Sequence, residues 1–485
     1  MPTKKKLKIV SISSELSPFS KSGGLSDVAK SLPEALKKAG ADPICITPLY
    51  GQIIDKKKFG LKMIMENIRV NINSEDAVHV NYWQGELDGN VPVYFVESGK
   101  YFSKRKSLYG STHENARFMV FCVASLKLLS LLKFKADIIH CHDWQTGLIP
   151  YYLKTDFQYS KTLKKAKTIY TIHNLVFQMG KNWWEVEPEK KDDGRGRLPH
   201  LEDEGIEYIN FAKRAILSAD AISTVSETYR EEIMTKDFGQ DLHRILSNRS
   251  DRLFGIVNGI DYEAWNPIND PGLNKRYNAG NFEGKQENKK YLQQKFSLTV
   301  NEKIPMVCST SRMTFQKGFD LIVKILDKLM SMMNVQIVLA GSCNVKEYLS
   351  AFKKMKKKYP KKFIAMTTHE ENQKYETLCY AASDFFILPS NYEPCGINQM
   401  IAMRYGCVPI VRKVGGLNDT VVNYSPATGK GTGFVFSHFD EFHLFGAIIR
   451  ALENFNGDKR KWKELIKRIM TEANDWSIPA EKYIK

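Results

Sequence analysis

Apolar and polar positions along the chain fall into short β-rich runs that alternate with longer helical stretches. In the first half the runs are LKIVSISS, ADPICITPLY, VPVYFV, ADIIHCH and KTIYTIH, with a helical stretch from Val28 to Ala39 after the first. In the second half they are MVCSTS, VQIVLAG, FIAMTTH, DFFILPS and VPIVRKV. Leu321, Ile325 and Leu329 recur at i+4 with Ile322 and Leu326 beside them, which predicts a helix from Phe319 to about Met330 with one apolar face. Strands alternating with helices predict parallel sheet covered by helices. Two such series predict an α/β chain of two doubly wound lobes.

The two series are separated by a turn signal, Val257-Asn258-Gly259-Ile260-Asp261, and a following run rich in Asn, Gly and Pro. The expected division is therefore a first lobe over 1–257 and a second over 258–466, with a hinge near Asn258. A second irregular segment, 181–204, carries Trp183, Trp184, prolines, glycines and dense charge; it reads as a lid or binding loop, or as a surface insertion. The most apolar stretch, Phe118 to Leu132, is broken by Ser125, Lys127 and Ser130, so no membrane span is expected.

A length of 485 residues suits two large cores, and 43% hydrophobic, 11% aromatic and 26% charged residues suit a folded, soluble chain. The net charge of +17 raises a polyanion partner, but the lysines lie in scattered runs such as Lys4 to Lys6, Lys56 to Lys58 and Lys356 to Lys358. Scattered lysines read as solvated surface, and with no zinc-finger or RNP-type motif, nucleic acid is not an expected partner. Eight dispersed cysteines without a Cys-x-x-Cys pair read as reduced core thiols. The opening MPTKKKLKIV leaves no space for a signal peptide, so a cytoplasmic location is expected.

Chemistry enters with a phrase that occurs twice, each time after a β-rich run: Gly23-Gly24-Leu25-Ser26-Asp27 and Gly415-Gly416-Leu417-Asn418-Asp419. Paired glycines let backbone approach a ligand, and a following helix offers unpaired N–H groups to an anion. Lys21 stands beside the first pair, where it would face a phosphate. The loop is neither a Walker sequence nor Gly-x-Gly-x-x-Gly, which disfavours a nucleoside triphosphatase or a dinucleotide enzyme. In the second half, Arg312 and Lys317 flank a strand-to-helix loop and could clamp a diphosphate, or be surface charges. Downstream, Glu393 could hold sugar hydroxyls while the amides of Cys395, Gly396, Ile397 and Asn398 face phosphate; its bland reading is a solvated turn carboxylate.

His140-Cys141-His142-Asp143 resembles a metal cluster only at first sight. On a strand His140 and His142 share one face while Cys141 and Asp143 share the other, so no metal site is expected. His173, closing KTIYTIH, reads either as a packed polar residue or as a cleft-lining hydrogen-bonder.

Together the segments SSELSPFSKSGGLSDVA, HCHDWQTGL, YTIHNLVFQ, ISTVSETYREEI, GIVNGIDYEAWNP, SRMTFQKGFDLI, DFFILPSNYEPCGINQM and VPIVRKVGGLNDTV closely resemble the bacterial glycogen synthase and plant starch synthase family of retaining glucosyltransferases. That resemblance implies two Rossmann-like lobes facing a central cleft, the B-type glycosyltransferase architecture. It implies an ADP-glucose or UDP-glucose donor, an α-1,4-glucan acceptor extended at its non-reducing end, and no metal or organic cofactor. By motif, Lys21, Gly23 and Gly24 would approach the donor's phosphates and sugar, Arg312 and Lys317 would hold the diphosphate, and Glu393 would hold the glucosyl unit. His173 and Asp143 match positions lining the sugar side. The final segment, placed at 467–485 on the resemblance of WSIPAEKYIK, is expected to pack back on the first lobe.

Retention fits a front-face mechanism in which the leaving phosphate takes the acceptor's proton. The chain departs from the family pattern at Gln178-Met179-Gly180, at 210–215 and at Ile397-Asn398, which leaves acceptor preference open. Rival readings are another sugar-nucleotide transferase, such as one making a disaccharide, and a catalytically silent glucan-binding protein; retention of Lys21, Arg312, Lys317 and Glu393 argues against silence.

Overall fold

The structure, a computed structural model, describes residues 6–110 and 113–485; Lys4 and Lys5 of the first lysine run lie outside the described residues. The chain divides into two compact units, Met1–Asn258 with Trp476–Lys485, and Gly259–Asp475.

Among the described residues, the first unit holds nine strands: β1 (Lys8–Ile12), β2 (Asp42–Pro48), β3 (Lys62–Asn71), β4 (Ala77–Leu87), β5 (Val91–Glu97), β6 (Ile138–His142), β7 (Lys167–Ile172), β8 (Ala221–Thr224) and β9 (Leu253–Gly255). They form one sheet in the order β3-β4-β5-β2-β1-β6-β7-β8-β9. β1 is central and lies parallel to both β2 and β6, with Ile9 opposite Pro43 and Ile138. Its neighbours run outward in both directions, so the strand order reverses between β1 and β6, the position at which ligands bind in open α/β sheets.

β3 and β4, an antiparallel hairpin, were not among the predicted strands. Only scattered positions of each are buried, and Lys62, Glu66, Arg69 and Glu86 interrupt the apolar pattern. A one-sided edge lacks the continuous apolar run of a strand buried on both faces. β6 places His140 and His142 on one face, as predicted, with rings stacked at 4.1 Å. Alternation stops at His142, however, and Asp143 lies beyond the strand rather than on the face of Cys141.

The return segment begins later than predicted, at Trp476 rather than 467. A helix over Lys459–Thr471 runs straight through the expected boundary, with Leu465, Ile466, Ile469 and Met470 buried and Arg404 Nη1 donating to the Met470 carbonyl at 3.0 Å. From Trp476 onward the chain joins the first unit, where Trp476 and Ala480 pack among Ile9, Val28, Leu32, Leu36 and Ala41.

The second unit's described strands are β10 (Met306–Ser309), β11 (Gln336–Ala340), β12 (Phe363–Met366), β13 (Phe385–Leu388), β14 (Val408–Arg412) and β15 (Phe434–Phe436). All are parallel, in the order β12-β11-β10-β13-β14-β15, with the reversal between β10 and β13. Every residue of β10 and β13 is buried. The predicted apolar stripe is seen on the helix Phe319–Met332, where Leu321, Ile322, Ile325, Leu326 and Leu329 are all buried. Each such side chain contributes about 1.5–3 kcal/mol relative to exposure. Among the described residues no helix is long and apolar enough to cross a membrane, and all eight cysteines are buried free thiols.

Candidate active site

In the second unit, three loops leave the carboxyl ends of β10, β13 and β14 and carry the predicted residues. The loop after β10 ends in a short turn, Phe315–Lys317, before the helix Phe319–Met332. Lys317 Nζ lies 2.5 Å from Glu393 Oε2, and Ser390 Oγ donates to the same oxygen at 2.9 Å. Glu393 is 5% exposed, so the solvated-turn reading is excluded. A carboxylate taken from water requires a cation and hydrogen-bond donors, and Lys317 and Ser390 supply both. Arg312 is exposed, and its guanidinium makes no hydrogen bond or ion pair among the described residues.

Glycine builds this loop cluster. Gly415 adopts φ +43°, and a Cβ there would lie 1.9 Å from the Glu393 carbonyl oxygen; at Gly416 it would lie 2.1 Å from that of Cys395. The Gly416 amide donates to the Glu393 carbonyl at 3.1 Å. The second Gly-Gly pair therefore holds the turn that carries Glu393. In that turn Gly396 has φ +68°, Cys395 is buried, and Asn398 Nδ2 donates to the Thr310 carbonyl at 3.0 Å after Ile397.

In the first unit, the loop after β1 carries Lys21, Gly23 and Gly24 into a 15-residue helix, Gly24–Lys38. Lys21 is exposed and pairs with Asp27 at 2.8 Å. A Cβ at Gly23 or Gly24 would meet none of the described residues within 4 Å. The anion expected at this helix start is partly supplied by the chain itself. Glu15, 3% exposed, accepts from the Ser22 amide at 2.6 Å, the Gly23 amide at 3.3 Å and the Tyr109 hydroxyl at 3.1 Å. Burial pushes its carboxyl upward, against the lowering effect of those hydrogen bonds.

Asp143 and His173 follow β6 and β7. Asp143 has φ 58° and ψ 177°, backbone geometry that is nearly confined to glycine. Its Oδ1 accepts from the His173 amide at 2.7 Å and the Asn174 amide at 3.4 Å. Burial pushes its carboxyl up to about 7 despite those amides. His173 Nε2 lies 3.0 Å from His142 Nδ1, and burial holds both rings well below the usual histidine range. A strained, protonatable carboxyl beside neutral imidazoles is costly to fold, and such costs concentrate at functional sites.

A family model described as "Starch synthase catalytic domain" matches residues 8–248, and one described as "Glycosyl transferases group 1" matches 291–468. The chain is 39% identical over 485 residues to a glycogen synthase of Bacillus licheniformis, an alignment covering 98% of this chain and 97% of the relative. It is 38% identical to a glycogen synthase of Thermotoga maritima, covering 99% and 98%. The chain belongs to the glycogen and starch synthase family of retaining glucosyltransferases. Its structure matches the catalytic domain of starch synthase IV from Arabidopsis thaliana, solved bound to ADP and acarbose, with a TM-score of 0.86, 32% identity, and coverage of 99% of this chain and 98% of that one. Its two α/β domains with parallel sheets are those of the B-type glycosyltransferases.

For this family member, the predicted residues fall at the carboxyl ends of the central strands within each unit. Lys317 and Glu393 come together; Asp143 and His173 come together through the His173 amide; Lys21 stands on its own loop. Sequence reasoning missed Glu15, Ser390 and His142. Glu15 and Ser390 lie eight and three residues before the glycine and glutamate they support, and such short-range carboxylate and hydroxyl positions were the available signal. The segment 181–204, open between lid and insertion, is anchored by a buried pair, Arg214 Nη2 to Asp192 Oδ1 at 2.8 Å.

Proposed function

We propose that this glycosyltransferase transfers glucose from a nucleotide diphosphate sugar, ADP-glucose in the first instance, to the non-reducing end of an α-1,4-glucan in the cytoplasm. The observation that carries this reading is the Lys317–Glu393 pair, its carboxylate buried, on loops leaving β10 and β13, together with the exposed Arg312 on the Lys317 loop, whose guanidinium has no partner among the described residues. The sugar-to-diphosphate bond has two needs: cations for the oxygen that gains charge, and an anion or hydrogen-bond acceptor for the sugar that loses electron density. Lys317 and Arg312 answer the first and Glu393 the second; Lys21 is a further cation, on the first unit's own glycine loop. The amides of Cys395, Gly396, Ile397 and Asn398 are the second unit's further donors to phosphate. Asp143 and His173 address the sugar side, and Gly23 and Gly24 leave backbone bare for close approach.

In the step itself the bond from the anomeric carbon to the diphosphate oxygen breaks and the bond to the acceptor hydroxyl oxygen forms on the same face. The acceptor's proton passes to the departing phosphate oxygen. No protein base takes part in this step, only fixed charges that favour the separated state. It also requires Lys317 to exchange its contact with Glu393 for one with phosphate, which frees a carboxylate oxygen for a sugar hydroxyl.

The test is incubation of purified protein with glycogen and either ADP-glucose or UDP-glucose, measuring free nucleotide and polymer-bound glucose. Equal release of ADP and gain of α-linked glucose in polymer is the expected result. Nucleotide release without polymer growth, or growth with UDP-glucose alone, overturns the proposed acceptor or donor.

A further inference from the structure

His142 is buried, and both of its ring nitrogens have defined partners: Nδ1 faces His173 Nε2 at 3.0 Å and Nε2 faces Ser11 Oγ at 3.2 Å. Ser11, 3% exposed, has its hydroxyl against no other hydrogen-bond partner among the described residues. A buried hydroxyl that accepts without donating leaves its proton unsatisfied, which costs more than an idle lone pair. Ser11 therefore donates to His142 Nε2. A neutral ring that accepts at Nε2 carries its proton on Nδ1, and that proton points at His173 Nε2. His173 must then accept at Nε2 and carry its own proton on Nδ1.

We propose that His142 is a positioning residue that fixes His173 in its Nδ1–H tautomer, so that His173 presents a hydrogen-bond donor, not an acceptor, to an oxygen of the donor sugar. The proposal rests on the reading of His173 as a sugar-side residue. The relay has a rigid base: Ser11 lies on central β1, His142 ends the adjacent β6, and the His142 ring is stacked on His140 at 4.1 Å. His140 is fixed in turn by Thr171 Oγ1 at 2.6 Å, which lies 2.6 Å from Ser223 Oγ. A ring clamped on both nitrogens and one face has little freedom to change tautomer, and a second-tier contact of this kind decides what the outer imidazole offers.

The decisive variants are isosteric. His142→Asn keeps an N–H at the position of Nδ1 and rescues the relay, with turnover falling only about threefold, whereas His142→Asp, assayed at alkaline pH where its carboxyl is ionised and can only accept, draws a proton onto His173 Nε2 and lowers turnover by about 10- to 100-fold. Ser11→Ala, which removes the donor to His142 Nε2, gives an intermediate loss. In the unaltered protein labelled with 15N-histidine, the His173 resonances, identified by their absence in His173→Ala, show a protonated Nδ1 and a bare Nε2. That spectrum needs no variant of His142 to fold. A protonated Nε2 on His173, or equal turnover in the Asn and Asp variants while His173→Ala is impaired, overturns this inference alone. Unchanged turnover in His173→Ala overturns the sugar-side reading and this inference with it.

Discussion

Gly23-Gly24 begins a 15-residue helix with open space where either Cβ would lie, whereas Gly415-Gly416 begins a six-residue helix with carbonyl oxygens of Glu393 and Cys395 about 2 Å from the same positions. The two phrases are nearly identical in sequence and opposite in environment. In the second unit the missing side chains are filled by the protein's own turn, so those glycines hold Glu393 where Lys317 and Ser390 reach it. In the first unit none of the described residues fills the space, and the glycines satisfy no packing need there. One glycine pair is consumed by folding, and on the proposed reading the other is left for a ligand. The charges follow the same division: Lys317 is half-buried against the buried Glu393 carboxylate, while Lys21 is exposed.

The comparison breaks most visibly at Gly416. Gly416→Ala, with a Cβ about 2 Å from the Cys395 carbonyl oxygen, is expected to lose at least about 3 kcal/mol of stability or fail to fold, measured by denaturant titration. A variant with unaltered stability and a displaced Glu393 would contradict the packing argument.

Lys317→Ala comes next. Removing the cation lowers turnover by about 100- to 1,000-fold while glucan binding is retained, because the charge matters most as the diphosphate departs. It also strands a buried carboxylate, costing up to about 3–5 kcal/mol of stability. Steady-state kinetics with glycogen-binding assays and denaturant titration separate the two effects; unchanged turnover with lost glucan binding would rule the role out.

Asp143 sharpens the comparison through pH. Its carboxyl, raised from an ordinary 3.8 to about 7 by burial, contributes stability that is fully present below about pH 4 and is lost as pH rises through 7. Asp143→Asn, which keeps an oxygen for the His173 amide, is expected to gain up to about 4 kcal/mol over the parent at pH 8 and little at pH 4, while turnover falls. Denaturant midpoints at the two pH values check the sign, and a gain confined to acid pH contradicts it.

Lys21→Ala is the smallest expected change in stability. Its exposed pair with Asp27 is worth no more than about 1 kcal/mol. Use of the nucleotide sugar should nevertheless fall about tenfold or more, since an exposed cation held beside open glycines has a ligand rather than the fold to serve. A stability loss without a kinetic one reverses that assignment.

The longer parallel strands of both sheets were legible because they are apolar runs and their helices carry i+4 stripes such as Leu321-Ile325-Leu329, whereas β8, β9 and β15, only three or four residues long, were not among the predicted strands. The β3–β4 hairpin was not, since one-sided burial broken by Lys62, Glu66 and Arg69 does not separate an edge strand from a loop. Glu393 was legible as a residue but not as a buried one, because its partner Lys317 lies 76 positions away in sequence. Asp143's glycine-like backbone and the tie from Ser11 through His142 to His173 depend on strands brought side by side, which no local pattern records. The two glycine pairs looked alike for the same reason: the sequence holds the missing Cβ, and only the fold shows what stands in its place.

Gly24→Ala asks most directly whether the first glycine pair is open for the donor and unnecessary to the fold. Alanine suits a helix start better than glycine, so the unfolding free energy should be unchanged or higher by up to about 1 kcal/mol. Turnover with the nucleotide sugar should fall by about tenfold or more as the methyl group takes up ligand space. Full turnover in this variant, or a loss of stability in step with activity, would contradict it.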